Sequence, residues 1–124
     1  MQTVSELQHF RKTAAAAGMN DDEITALVNY LARTPDAGQE IQGTGGCRKL
    51  RWAIEGNNKG KSGGARIITF FSGATMPVFL IAAFDKSSKV NLTKAERNSL
   101  KTVTEAITKE YSKRVTSLKV GATA

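Results

Sequence analysis

The 124-residue chain has one cysteine and one histidine. The single cysteine, Cys47, excludes a disulfide within the chain and a zinc site made of several cysteines, and we expect it to be a small buried residue. The histidine, His9, has no cluster of acids at metal-ligand spacing around it. The residues therefore support neither metal-dependent hydrolysis nor a histidine-activated nucleophile, and we expect no metal and no other cofactor.

The chain also lacks a long apolar run. The longest one, around Pro77–Phe84, is much shorter than the roughly 20 residues that a membrane-spanning helix needs. The N-terminus has no basic segment followed by an apolar one, as a secretory signal would have. We expect a cytoplasmic protein without a membrane partner, and a free thiol is consistent with that reducing compartment.

Acidic residues are scarce in the middle of the chain. Residues 42–91 contain eight Lys/Arg and two Asp/Glu, whereas residues 1–41 contain three and six, and residues 92–124 contain seven and three. The middle segment thus carries +6 in a chain whose net charge is +7. This distribution predicts a polyanionic partner for the middle and the end of the chain, although a solvated basic surface would have the same composition.

Two helices are predicted before the basic segment and one after it. Ser5–Gly18 is rich in helix formers. Asn20 and Glu23 form a capping box that begins a second helix, so the first two helices make a hairpin. Thr93–Glu96 is another capping box, and it begins a C-terminal helix.

Three strands are predicted between the helices, at Arg48–Ile54, Ala65–Phe71 and Pro77–Phe84. Their short connections require antiparallel pairing, and a very short strand at Met1–Val4 would add a fourth. We therefore expect one α+β domain, residues 1–118, in which an N-terminal helical hairpin packs on a 3–4-stranded antiparallel sheet, followed by the C-terminal helix. Residues 119–124 are expected to be a disordered tail.

A glycine-rich stretch with two lysines lies between the first two predicted strands. Its Gly60-Lys61-Ser62 resembles the end of a nucleotide-binding P-loop, which needs an earlier glycine and a helix directly after it. Glu55 occupies the glycine position, and Ala65–Phe71 reads as a strand. Without a helix N-terminus to bind phosphate, a nucleoside triphosphate is not the expected ligand.

A set of cations on or next to the predicted strands is the candidate site. Lys49 and Arg51 are two residues apart and project from the same face of one strand, and Arg66 begins the next strand. If the strands pair, these side chains could surround one concave surface suited to a phosphodiester. The alternative is that Lys49 and Arg51 are the solvated face of a half-exposed strand. The other members of the set are Lys59, Lys61, Lys86 and Lys89.

Two runs, Ile41–Arg51 and Gly60–Ile68, resemble the HigB-type branch of the RelE/ParE toxin superfamily. They follow the patterns G-T-G-G-x-R-K-[IL]-R and G-K-x-G-G-x-R-I-I in that order, and Phe84-Asp85-Lys86 and Asn91-Leu92-Thr93 continue the likeness. The resemblance covers roughly residues 20–105. It implies a RelE-like fold and the toxin of a type II toxin–antitoxin pair, an mRNA interferase that cleaves messenger RNA on the ribosome and inhibits translation.

The resemblance also implies a mechanism without a metal, in which the ribose 2′-OH attacks the adjacent phosphate while basic side chains assist proton transfer and stabilise charge. The catalytic residues carried over by motif are Lys49, Arg51, Arg66 and Lys86. The RNA-binding residues would be Arg48, Lys59, Lys61 and Lys89. The implied partners are messenger RNA, the ribosome and a helix-turn-helix (HigA-like) antitoxin.

The sequence departs from the family pattern after Lys86. Ser87 stands where RelE has an arginine, the later tyrosine of RelE falls in the Asn91–Leu92 region, and Phe84-Asp85-Lys86 replaces the Tyr-Gly-Lys of the HigB branch. The general base and acid are therefore left open. Two other functions also stay open: a non-catalytic, ParE-like toxin that poisons DNA gyrase, and an RNA-binding module without catalysis. The basic strand pair and the lysine-containing loop favour cleavage over gyrase binding.

Overall fold

The computed structural model describes residues 2–53, 64–73, 76–85 and 92–123, with the side chains of the last helix described as far as Tyr111. These residues form, in chain order, β1 (Val4–Glu6), α1 (Gln8–Ala16), α2 (Asp21–Arg33), β2 (Gln39–Glu40), β3 (Cys47–Ala53), β4 (Gly64–Phe70), β5 (Val78–Asp85) and α3 (Lys94–Thr123). The predicted α+β class is confirmed. No helix in the described ranges combines the length and the apolar content needed to cross a membrane.

The strands form one sheet in the order β1-β5-β4-β3-β2. The β3–β4 and β4–β5 pairs are antiparallel, as their short connections predict, and β2 also pairs antiparallel with β3. The expected 3–4-stranded antiparallel sheet is wrong in detail, because β2 adds a fifth strand and β1 pairs in parallel with β5. Parallel pairing is possible here because two helices and three strands separate β1 from β5 and provide the long crossover it needs.

Helices pack on both faces of the sheet. On one face, α1 and α2 pack through Phe10, Ala14, Leu27 and Leu31, which are fully buried. On the other face, the predicted apolar stripe of α3 packs against a second buried cluster through Leu100, Val103, Ile107 and Tyr111. Each fully buried large apolar side chain contributes about 1.5–3 kcal/mol, so Phe10, Leu27 and Leu31 hold the first helical layer on the sheet. The partly buried side chains of α3 add less each.

Both predicted capping boxes are present. The Asn20 side chain accepts a hydrogen bond from the Glu23 amide at 2.8 Å, and the Glu23 carboxylate accepts one from the Asn20 amide at 2.9 Å. The Glu96 amide donates to Thr93 Oγ1 at 3.1 Å, and the Thr93 amide donates to the Glu96 carboxylate at 2.8 Å. The second box fixes where α3 begins and so which residues form its first turn.

The turn between β2 and β3 holds α3 against the sheet. The hydroxyl of Thr104, which is buried, donates to the Thr44 carbonyl at 3.0 Å and is shared with the Lys101 carbonyl of its own helix at 2.9 Å. A Cβ on Gly45 would lie 2.8 Å from Thr104 Oγ1, and the φ of +77° at Gly45 favours glycine. Gly45, which belongs to the run that carries the family resemblance, therefore allows α3 to approach the turn closely at Thr104.

The helix α3 extends to Thr123, beyond residue 118, where the sequence predicted the end of the ordered domain. The domain boundary at residue 118 and the disordered tail at residues 119–124 both stay predictions.

Candidate functional site

Strands β3 and β4 bring three of the predicted cations together. Arg51 pairs directly with Arg66 in the antiparallel register, and Lys49 pairs with Ile68 on the same ladder. Because residues two apart in a strand share a face, all three cations project from the face on which Cys47 and Ile68 contribute to the α3-side core. The predicted strand pairing is thus confirmed, and it places these three side chains next to one another.

The Arg51–Arg66 pair has the character of an anion site. Like charges directly opposite each other destabilise a sheet, and within the described part of the chain neither guanidinium forms an ion pair. The Nε of Arg66 is buried, and no described residue accepts a hydrogen bond from it. A buried donor without a partner costs about 1–3 kcal/mol. An anion bound between the two arginines would reduce both costs.

A cavity of about 410 Å³ opens beside this pair. Its volume lies in the range of about 300–1,000 Å³ that is typical of small-ligand sites. Its apolar lining consists of Ile41, Ile68, Phe84 and Leu92. Its polar lining consists of Gln39, Glu40, Gln42, Lys49, Arg66 and Arg97.

A second concave surface, of about 320 Å³, adjoins the first and is lined by Gln39, Lys49, Leu50, Arg51 and Arg66. The two share Gln39, Lys49 and Arg66. Lys49 and Arg66 therefore stand at the boundary between two adjoining hollows.

The sequence does not single out Arg97 or Gln39. Arg97 reads as one charged residue among many in a helix, and Gln39 lies in a strand of two residues. For Arg97 a signal was available, because it continues the buried stripe of α3 one turn before Leu100. For Gln39 the signal appears only in the register, where it pairs with Lys49.

The other predicted site residues are placed as follows. Arg48 lies on the opposite face of β3 from Lys49 and donates from Nη1 to the Gly38 carbonyl at 3.1 Å, so it stands apart from the three clustered cations. Lys59, Lys61, Lys86 and Lys89 lie outside the described residues, as does Gly60-Lys61-Ser62. Their roles stay predictions.

Neither Cys47 nor His9 takes part in this site. Cys47 is fully buried, as predicted, and burial raises the pKa of its thiol to about 11, although a hydrogen bond with Thr44 acts in the opposite direction. His9 is exposed on α1, whose buried side packs on the other face of the sheet. Among the described residues, no group of three or more His, Cys, Asp or Glu side chains is placed to hold a metal ion.

Comparison with known proteins gives one family and a structural relative. Residues 3–123 match the family described as the RelE toxin of the RelE / RelB toxin–antitoxin system. Among solved structures, the toxin RelE of E. coli, determined in the free state as a double arginine-to-alanine mutant, is similar with a TM-score of 0.46 and 12% sequence identity. The likeness covers 70% of this chain and 86% of that chain. The family match spans nearly the whole sequence and confirms the expected RelE-like fold.

Proposed function

Because the chain belongs to the RelE toxin family of toxin–antitoxin systems, we propose that it is an endoribonuclease that cleaves messenger RNA on the ribosome and so inhibits translation. The observation that carries this proposal is the Arg51–Arg66 pair with Lys49 beside it on one face of the sheet. Guanidinium groups bind phosphate oxygens in a forked geometry, and clustered cations suit a phosphodiester. The HigB-type assignment is part of the proposal.

In the proposed reaction the ribose 2′-oxygen attacks the neighbouring phosphorus, and the bond from phosphorus to the 5′-oxygen breaks. The 2′-OH loses its proton and the 5′-oxygen gains one, so the products are a cyclic phosphate and a free 5′-OH. The phosphoryl oxygens gain negative charge on the way to the transition state. The guanidinium of Arg66, placed at the boundary of the two hollows, would stabilise that charge more than it stabilises the starting phosphodiester, which lowers the barrier.

The remaining predicted residues complete the proposal. Lys86 would join Lys49, Arg51 and Arg66 at the phosphate, while the RNA backbone on either side would be bound by Lys59, Lys61 and Lys89. Arg48, predicted to bind RNA with them, lies on the other face of β3 and is left out of this surface. A helix-turn-helix antitoxin of the HigA kind would neutralise the toxin with acidic residues, because the surface that it must cover is basic.

Expression of the chain alone is the direct test. We expect growth to stop because translation stops, and we expect purified ribosomes programmed with messenger RNA to show cut messages that end in a cyclic phosphate. Continued protein synthesis with failing DNA supercoiling would instead support a gyrase-poisoning toxin of the ParE kind. Binding of RNA by the folded chain without any cleavage on ribosomes would support a non-catalytic RNA-binding module.

A further inference from the structure

Arg48 belongs to the basic run that carries the family resemblance, but its side chain does not face the candidate site. It lies on the opposite face of β3 from Lys49, and its Nη1 donates a hydrogen bond to the Gly38 carbonyl at 3.1 Å. Among the described residues it forms no ion pair. Gly38 lies between α2 and β2, so this contact joins β3 to the segment that leads into the edge strand of the sheet.

The edge strand β2 has few contacts of its own to hold it in place. It consists of Gln39 and Glu40, and both residues are exposed. It pairs with β3 over two residues, and one further backbone hydrogen bond follows, from the Ile41 amide to the Cys47 carbonyl at 2.8 Å. Segments with few buried contacts open most easily, so a side-chain hydrogen bond at the start of β2 adds substantially to its attachment.

The backbone at Gly38 approaches β3 so closely that no side chain fits. A Cβ on Gly38 would overlap the Lys49 carbonyl, and the φ of +94° also favours glycine. The close approach brings the Gly38 carbonyl within reach of the Arg48 guanidinium on the same strand. Gly38 and Arg48 therefore hold one junction, the glycine by leaving space and the arginine by donating the hydrogen bond.

This junction determines where one wall of the 410 Å³ cavity lies. Four of the ten residues that line the cavity are residues 39–42, which directly follow Gly38; we call them the β2 wall. The cations Lys49, Arg51 and Arg66 lie in β3 and β4, whose seven-residue pairing does not depend on β2. Release of the junction would displace the β2 wall and leave these cations in place.

We propose that Arg48 is a positioning residue of the ribonuclease site, which holds the Gly38 carbonyl against β3 and so fixes the β2 wall beside Lys49. It contacts neither the RNA nor the reacting atoms, in contrast to the RNA-binding role expected from the sequence. The inference rests on the proposed function, because the wall affects cleavage only if RNA binds beside it. Loss of Arg48 should raise KM much more than it lowers kcat, because the cations at the reacting phosphate keep their places.

Hydrogen exchange of single amides, followed by NMR, tests the junction without any RNA. Arg48→Met keeps the apolar stem and removes the donor, and we expect the Ile41 amide to exchange about two- to tenfold faster. The Leu7 amide, which donates to the Leu80 carbonyl at the opposite edge of the sheet, should exchange as in the parent. Arg48→Lys, which keeps a donor, should restore much of the protection at Ile41. Arg33→Met, which removes an exposed cation from the last turn of α2, should change neither amide.

A glycine pair tests the same junction from its other side. Gly38→Ala and its matched control Gly18→Ala both place an alanine at a φ near +90°, but only at Gly38 does the new Cβ meet another part of the chain. Both variants should lose stability through backbone strain. Only Gly38→Ala should also speed exchange at Ile41 and reproduce the effect of Arg48→Met on RNA.

RNA measurements connect the junction to the site. The probe is a short single-stranded RNA whose 2′-hydroxyls are all methylated, so that it cannot be cut. Arg48→Met should bind it a few-fold more weakly, with an unchanged slope of log affinity against log salt, because no phosphate contact is lost. On ribosomes, Arg48→Met and Gly38→Ala should raise KM and leave kcat within about twofold of the parent, and Arg48→Lys should recover much of the loss.

The outcomes separate this inference from the proposed function. If the parent does not cut RNA, but Arg48→Met and Gly38→Ala both speed exchange at Ile41 and weaken probe binding, the positioning role stands and the catalytic proposal fails. A salt slope reduced by about 0.7 in Arg48→Met, with unchanged exchange at Ile41, would make Arg48 an RNA contact and overturn the inference. Faster exchange with unchanged KM and unchanged RNA affinity would overturn it too, even if the parent cuts RNA.

Discussion

Arg51 and Arg66 face each other across β3 and β4 without a described acidic partner. Both their mutual repulsion and the unpartnered Nε of Arg66 raise the free energy of the folded chain. Unfavourable arrangements such as these occur most often at functional sites, where the stability of the rest of the fold offsets their cost. A substitution here should therefore affect stability and activity in opposite directions.

We predict that Arg66→Ala abolishes cleavage without weakening the fold. Loss of one donor to the developing charge typically costs about 10²–10³ in rate, or about 3–4 kcal/mol. The free energy of unfolding should stay the same or rise, because the repulsion from Arg51 is removed. Arg66→Lys should restore little activity, since an ammonium group cannot form the two parallel hydrogen bonds of a guanidinium. Messenger cleavage on purified ribosomes and urea unfolding measure the two effects.

Arg33→Ala is the matched control for Arg66→Ala. Arg33 is exposed in the last turn of α2, so its loss removes the same charge far from the cavity and should leave the cleavage rate unchanged. A folded Arg66→Ala protein that cuts as fast as the parent would show that the phosphate binds elsewhere.

We predict that Cys47 is almost inert towards thiol reagents in the native chain. With a thiol pKa of about 11, roughly one molecule in a thousand carries the reactive thiolate at pH 8. Because the thiol is also fully buried, labelling of the folded protein requires local opening and should stay slow over the pH range in which the chain is folded. In denaturant, where the ordinary pKa of about 8.5 returns, labelling at pH 8 should be fast. Rapid labelling of the native chain at neutral pH would contradict the burial.

At the scale of elements, α3 contributes Arg97 to the lining of the cavity and covers the core beside it. We predict that Thr104→Val lowers the free energy of unfolding by about 1–3 kcal/mol, since the buried Thr44 carbonyl loses the donor from Thr104. Denaturant midpoints measure the change.

Thr108→Val is the control for this prediction. Thr108 also donates from its hydroxyl, at 2.8 Å, but to the Thr104 carbonyl within the same helix, and its side chain is exposed. Its effect should stay within about 0.5 kcal/mol. If both variants lose the same stability, the hydrogen bond between α3 and the turn does not hold the helix in place.

The longer elements could be predicted from the sequence, and the two shortest strands could not be placed. β3 and β5, with seven and eight residues, show alternation or a continuous apolar run, and both capping boxes mark helix starts. β1 and β2 have three and two residues, which is too short for a period to be recognised. The place of β1 beside β5 depends on packing between distant parts of the chain.

Part of the candidate site could likewise be predicted from the sequence, and part could not. Lys49, Arg51 and Arg66 could be expected together because a two-residue spacing and a short antiparallel connection determine their arrangement. Arg97 could not, because its place depends on how α3 packs, through contacts such as the one that Thr104 makes with the β2–β3 turn. Strand alternation places Arg48 on the opposite face of β3 from Lys49 and Arg51, although the three residues lie close together in the sequence.

At the scale of the whole molecule, the uneven charge predicts a salt-dependent affinity for RNA and ribosomes. Neutralising one phosphate of a single strand contributes about −0.7 to the slope of log affinity against log salt. Lys49, Arg51 and Arg66 alone should therefore give a slope of about −2. Anisotropy of a labelled RNA over a salt titration measures it.

Lys12→Ala is the control for the salt titration, because Lys12 is exposed on α1, on the other side of the sheet. Its loss should leave the slope unchanged. A flat salt response in the parent would contradict the proposal that this chain binds a polyanion.

β1 is the first strand of the sheet to be synthesised, and its partner β5 is the last. Within the described sheet, Val4–Glu6 pairs with Val78–Leu80, and the cavity uses residues from Gln39 to Arg97. Because a chain emerges from the ribosome N-terminus first, an unfinished copy has neither a complete sheet nor a complete cavity. Under the proposed function, each ribosome completes its own copy before that copy can cut a message.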